Sequence, residues 1–256
     1  MPVISVANQK GGVGKTTVCL LLAEGLARLG KRVLLVDLDP QFNLSYFYLG
    51  DRVIEHEEKN VGHVLLGKLP VEEVLVELSS NLWLLPSYLN LSVRELELVS
   101  SYNRERKLRR ALEPLLDQFE YVIIDNPPSL SIFLVNSLVA SNYLLVPLEP
   151  SYFAVVGMEL MLGLLKFIRA EINPSLELLG VVINKYSKRS SIPEAMLVEF
   201  RKKYDNTKIL GILPNSVIFE KSHAARKSIF DLIDKRNKHV KKAIEKFIEE
   251  VIKYAK

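Results

Sequence analysis

The run Lys10-Gly11-Gly12-Val13-Gly14-Lys15-Thr16-Thr17 stands between an apolar segment, Val3 to Ala7, and an amphipathic stretch that begins at Val18. A glycine-rich turn from strand to helix commits the chain to a βα unit in which the positive end of the helix dipole faces the turn. Such a turn cradles phosphates with backbone N–H groups, while a following lysine meets the β/γ-phosphates and a following hydroxyl meets Mg²⁺. Gly14-Lys15-Thr16 fits that pattern. Gln9 occupies the place of the first glycine in G-x-x-x-x-G-K-[ST], and Gly11 and Gly12 supply the backbone freedom instead. Lys10 adds a second lysine that a plain glycine turn has no need of.

The rest of the chain is patterned to surround that turn. Val3-Ala7, Arg32-Asp37, Leu82-Leu85, Tyr121-Asp125, Tyr143-Leu148, Leu178-Ile183 and Ile209-Leu213 read as strands. They lack clean polar alternation, as expected of strands covered on both faces. Helices are expected near 16–30, 92–117, 130–140, 153–172, 192–204, 221–232 and 236–255. The alternation predicts an α/β fold, a doubly wound, mostly parallel twisted sheet flanked by helices on both faces. With no repeat or linker visible, one domain over 1–256 is expected, including a C-terminal amphipathic helix at about 236–255. The stretch from Leu49 to Ser80 is the least regular, with a loop expected around Asp51 to Lys59 and its charge run read as solvated surface.

Composition narrows the class. A chain of 256 residues, 48% hydrophobic and 25% charged, buries a full core. The single Cys19 allows no internal disulfide and no multi-cysteine metal site within one chain. Asn126 to Leu148 carries no charge, but its prolines, serines and asparagines suit a buried helix and strand better than a membrane span. Met1-Pro2 leads straight into the first strand, so no leader and a cytoplasmic location are expected. No DNA-reading module stands ahead of Lys10, so autonomous operator recognition is not expected.

Ligands in doubly wound sheets sit at the carboxyl ends of strands, where Gln9 to Thr17, Asp37 to Asn43 and Asp125 to Ser129 all fall. Asp125 ends the apolar strand Tyr121-Ile124, a place suited to a carboxylate near Mg²⁺, and Pro127-Pro128 stiffen the segment beyond it. Asp37 and Asp39 lie two apart, so in an extended segment both are expected to face the phosphate edge, one supporting Mg²⁺ and the other orienting the attacking water.

Taken together, Lys10-Gly-Gly-Val-Gly-Lys-Thr-Thr17, Asp37-Leu-Asp-Pro-Gln41 with Asn43, and Asp125-Asn-Pro-Pro-Ser129 resemble the deviant Walker A, switch I and Walker B/switch II motifs of the ParA/MinD ATPases. Leu84-Leu85-Pro86-Ser87, Asn136 to Pro147, Tyr152-Phe153-Ala154 and Gly211-Ile212-Leu213-Pro214 extend the resemblance over nearly the whole chain, toward short, Soj-like ParA partition proteins. The resemblance implies ATP and Mg²⁺ as cofactors, with Gly11, Gly12, Val13 and Gly14 cradling phosphates. It also implies Lys15 on the β- and γ-phosphates, Thr16 on Mg²⁺, Thr17 on the α-phosphate and Asn184 at the base, with Pro214 among the cofactor-binding residues. Asp39 matches the residue that orients the hydrolytic water, and Asp125 the Mg²⁺-linked carboxylate. Lys10 matches the signature lysine that reaches a partner's nucleotide, so the resemblance implies a homodimer in the ATP state and slow, partner-stimulated hydrolysis.

Where this switch acts is less uniform. Phe42 stands where glycine is usual after the switch I glutamine, Asn126 where cysteine is common, and Ile218 where partition proteins have an arginine linked to DNA. Arg189 falls where another DNA-contacting arginine is expected, with Lys188 beside it as a further candidate for DNA binding. Residues 185–256 hold 18 Lys/Arg against 9 Asp/Glu, whereas residues 1–184 hold 16 against 21. That one-sided charge favours non-specific duplex binding, with a nucleoid-associated location, and a ParB-like stimulating partner is implied by the resemblance. The alternative is a MinD-like protein that positions protein or membrane complexes. Membrane attachment is not expected of the last helix, whose polar face mixes lysines with Glu245, Glu249 and Glu250. The cluster Arg104, Arg106, Lys107, Arg109, Arg110 is a candidate nucleic-acid patch, but at helical spacing it wraps around its helix, which suits a solvated face at least as well. A cluster-binding relative is excluded by the lone cysteine, and no motif suggests a biosynthetic substrate.

Overall fold

The computed structural model describes residues 1–151, 154–187 and 192–256, with side chains described from residue 194 in the last of these segments. Its sheet contains β1 (Val3–Val6), β2 (Val33–Asp37), β3 (Val76–Ser79), β4 (Leu82–Leu85), β5 (Tyr121–Asp125), β6 (Tyr143–Leu148), β7 (Glu177–Tyr186) and β8 (Ile209–Pro214). Their order is β3-β4-β2-β5-β1-β6-β7-β8, parallel throughout except for the β3–β4 hairpin at the edge. The seven expected strands are all present. β3 is the addition: its alternating exposure marks a half-solvated edge strand, a weaker pattern than the buried runs.

Helices cover both faces. On one lie α1 (Lys15–Arg28) and α2 (Asn43–Leu49). The other carries α3 (Val61–Leu65), α4 (Leu91–Val99), α5 (Lys107–Leu112), α6 (Ile132–Ala140), α7 (Ala154–Glu171) and α8 (Ile192–Lys203). Then α9 (Val217–Ala225), α10 (Ile229–Leu232) and α11 (Lys238–Tyr254) return to the first face. No helix of the described residues is long and apolar enough to cross a membrane.

Two expected helices are divided. The segment 92–117 breaks at Ser100 to Asn103, where Asn103 takes a left-handed φ of 52°. Buried Asn136 then holds the next turn, accepting from Leu108 N at 3.0 Å and donating to Arg104 O at 2.7 Å. The segment 221–232 begins earlier, with Ser216 capping α9, and stops where Arg226 turns left-handed. Ser228 caps α10. The stretch after Leu49 contains a 3-10 turn over Gly50–His56 before α3, and Glu55, Glu57, Glu58 and Lys59 are exposed.

α11 is part of the core. Val240, Ile244, Phe247, Ile248 and Val251 are buried against α1 and β8. Gly25 makes the approach possible, since a Cβ there would lie 2.1 Å from Ile248 Cδ1. Phe247→Ala removes a fully buried ring and is expected to destabilise the fold by about 3–5 kcal/mol in urea unfolding. Exposed Lys241→Ala, by contrast, is expected to change stability by less than about 0.5 kcal/mol.

Candidate nucleotide site

Register places the three motifs side by side. Asp37 pairs with Asp125 across β2 and β5, and Val6 with Asp125 across β1 and β5. The loop leaving β1 therefore opens beside both carboxylates. Gly12 (φ 74°) and Gly14 (φ 94°) hold left-handed turns that side chains resist. Beneath them lies a cavity of about 480 Å³, lined in part by Gly12, Lys15, Thr16, Asp39, Asn184 and His223.

Thr16 Oγ1 donates to Asp125 Oδ2 at 2.7 Å. Asp125 Oδ1 is buried and has no partner among the described residues. Burial pushes this carboxyl up to about 7; Thr16 lowers it, the Asp39 charge adds to the rise, and Lys15 opposes it. Lys15 is 7% exposed. Burial lowers its ammonium from the usual value, against the attraction of Asp125 and then Asp39. A buried orphan oxygen beside a threonine hydroxyl, among excess carboxylates, fits a divalent cation held by Thr16 and Asp125.

Asp37 differs from expectation. Its Oδ1 accepts from Asp39 N at 3.1 Å, and its Oδ2 accepts from Ser45 N at 2.9 Å and Ser45 Oγ at 2.7 Å. It is fully buried, and burial with the neighbouring Asp125 charge raises its carboxyl to about 8. Of the two switch I acids only Asp39 lines the cavity. Asp37 anchors the turn into α2, with both of its oxygens engaged by protein donors.

Lys10 turns outward, its Nζ donating to Ser151 Oγ at 3.1 Å and lying 3.6 Å from Glu149. Thr17 Oγ1 pairs with His223 Nε2 at 3.0 Å, and burial lowers the imidazole toward its neutral form. Asn126 points into the sheet, donating to Ser5 Oγ and Val6 O, which explains how it replaces cysteine without touching the cavity. Pro214 lines the cavity together with Phe219. Nothing in the local sequence marks Phe219 or His223, because α9 reaches the loop only through the return of the chain. Lys188 and Arg189, with Tyr152 and Phe153, lie outside the described residues.

A wider cleft of about 1760 Å³ opens on the far side of α9, between Tyr186, Lys221 and Arg236. Ile212 and Pro214 of β8 line it, but no residue of the phosphate loop, of Asp37 to Asn43 or of Asp125 to Ser129 does, so the chemistry belongs to the smaller cavity.

A family model described as an AAA domain matches residues 1–178. The sporulation initiation inhibitor protein Soj of Bacillus subtilis is 33% identical over 237 residues, covering 92% of each chain. The chromosome partitioning protein ParA of Caulobacter vibrioides is 36% identical over 84% of this chain and 81% of its own. This chain belongs to the ParA/MinD ATPase family. Among solved structures, a Mycobacterium smegmatis chain described as cobyrinic acid a,c-diamide synthase, with ADP and magnesium bound, is 34% identical with a TM-score of 0.79. The match covers 94% of this chain and 96% of that one. The family fold is thus present with the deviant loop, the switch I turn and Asp125 in register.

Proposed function

We propose that this member of the family is a Mg-ATP-dependent nucleotide switch that dimerises around ATP and positions DNA or another large cargo, with hydrolysis stimulated by a partner. The orientation of Lys10 carries the reading. It sits at the rim, held by Ser151 and Glu149, while Lys15 serves the cavity within the chain. Two nucleotides facing each other concentrate negative charge, and a lysine from each subunit offsets it. ATP therefore favours the dimer, and hydrolysis releases it.

The residues present fit the cofactor. Gly11 to Gly14 would hold phosphates, Lys15 the β- and γ-phosphates, Thr16 and Asp125 the Mg²⁺, and Asn184 and Pro214 the base end. Mg²⁺, when bound, neutralises charge on the phosphate oxygens. Asp39 receives the proton of the attacking water or orients it, and the closed turn around Asp37 keeps Asp39 in place.

The DNA arm rests on the basic C-terminal region, where Arg201, Lys202, Lys208, Lys221, Lys238 and Lys242 are exposed. Duplex retention with ATP and Mg²⁺ is expected to weaken steeply between low and moderate salt. Dimerisation by ATP without duplex retention at low salt would favour the second reading, a switch that docks on proteins. Two observations suit that reading: Ile218 is buried in the core in place of an arginine, and α4 with its flanks exposes Leu89, Val93, Leu96, Val99 and Tyr102. Turnover that waited on a small acid and an amide donor would instead point to a synthase, as named for the mycobacterial neighbour.

A further inference from the structure

The two residues near the end of β7 both reach back to the phosphate loop. Asn184, 4% exposed, donates from Nδ2 to the Val13 carbonyl at 2.9 Å. Lys185 donates from Nζ to the Gly12 carbonyl at 2.7 Å. A carbonyl only accepts, so the amide orientation of Asn184 is fixed by its partner. Lys185 stands at φ 54°, a left-handed conformation that residues with a Cβ resist. Gly14 completes the fit: a Cβ there would lie 2.1 Å from Asn184 Nδ2.

A trans peptide holds its C=O and the following N–H on opposite sides. Fastening the carbonyls of Gly12 and Val13 to β7 therefore turns the N–H groups of Val13 and Gly14 away from β7. Neither N–H has a partner among the described residues. Successive unpaired N–H groups in left-handed and right-handed alternation form an anion-binding concavity. The Gly12 and Val13 carbonyls are thus satisfied by protein, and the Val13 and Gly14 N–H groups are left for phosphate.

We propose that Asn184 and Lys185 form a clasp that presets the phosphate loop before any ligand arrives. This makes both positioning residues for the phosphates, Asn184 in addition to any contact with the base. The inference rests on the nucleotide reading of the loop and adds that affinity for the phosphates alone depends on β7.

Two probes separate the roles: Mg-ADP, which has a base, and Mg-tripolyphosphate, which has none. Binding of each is measured for wild type, Asn184→Asp, Asn184→Ala, Lys185→Met and Lys185→Arg, with circular dichroism checking the fold. Amide hydrogen exchange of residues 11–16 is followed in the ligand-free proteins. Asn184→Ala removes the donor without adding a charge and is expected to weaken tripolyphosphate binding about tenfold, a loss that Asn184→Asp deepens by placing a carboxylate near the anion. Lys185→Met is expected to weaken it about threefold, the bond being exposed, with Lys185→Arg restoring most of the loss. Exchange in the loop is expected to quicken in both Asn184→Asp and Lys185→Met. Weaker ADP binding with unchanged tripolyphosphate binding and unchanged exchange would overturn the clasp and leave Asn184 a base contact only. A wild type that binds neither probe would remove the nucleotide reading, and loop exchange alone would then decide the clasp: unaltered rates in both variants would overturn it.

Discussion

Lys15→Ala is expected to lower kcat/KM for ATP by at least about 10²–10³-fold, the scale for removing one preorganised charge from a water-excluded site. Lys15 is almost fully shielded and stands where the Asp125 and Asp39 charges meet the phosphate loop. Its ammonium has two tasks there. On the proposed nucleotide reading it offsets the charge of incoming phosphates, and it restrains the rise of the Asp125 carboxyl that burial drives. Without it, Asp125 takes up a proton more readily, and a protonated carboxyl is a poor ligand for Mg²⁺. Nucleotide affinity and Mg²⁺ dependence should therefore fall together in fluorescent-nucleotide titrations. The ligand-free fold should change little, because burying the ammonium already costs about what its carboxylate partners return. Lys15→Arg keeps the charge but replaces a compact point donor with a planar fork, so it should recover only a small part of the activity. Near wild-type turnover by Lys15→Ala would show that phosphates bind elsewhere.

Much of this site is legible because its parts are local in sequence. The spacing of Gly14, Lys15 and Thr16 sets a strand, a turn and a helix start, and the apolar runs ending at Asp37 and Asp125 fix which side of the sheet they face. Parallel pairing then brings the runs into register without further instruction. The Asp37 carboxylate departs from its expected place for a physical reason. Alternation along an extended segment says which residues share a side, but the chain turns after Asp37, and Ser45 supplies two donors that draw the carboxylate inward. The contacts of His223 with Thr17 and Lys185 with Gly12 span 206 and 173 residues. No period or motif encodes them. Similarly, β3 and α3 escape a reading of the sequence because short, half-buried elements carry too few apolar positions to establish a period.

Asp39→Ala should separate binding from turnover. The backbone here does not depend on the Asp39 carboxylate alone: its N–H bonds Asp37 Oδ1, and its carbonyl accepts from Ser87 Oγ at 2.8 Å. Removing the side chain costs the Gln41 N bond to Oδ1 but leaves those two anchors. Mg-ATP affinity is expected to stay within about threefold, below the free energy of one ordinary hydrogen bond. Hydrolysis is expected to fall about 10²–10⁴-fold, the usual contribution of a positioned base. On the proposed switch, a dimer formed with ATP should consequently persist in size-exclusion chromatography after wild type has returned to monomer. Asp39→Asn distinguishes the two roles of the carboxylate, because an amide oxygen can still hold Gln41 N yet accepts a water proton far less readily. An Asn variant that hydrolyses like wild type would make Asp39 a turn-holding residue. An Ala variant whose affinity falls in step with its turnover would make it a nucleotide-binding one. Loss of turnover in both, with binding and the persistent dimer retained, is the outcome that identifies its carboxylate as the group acting on water.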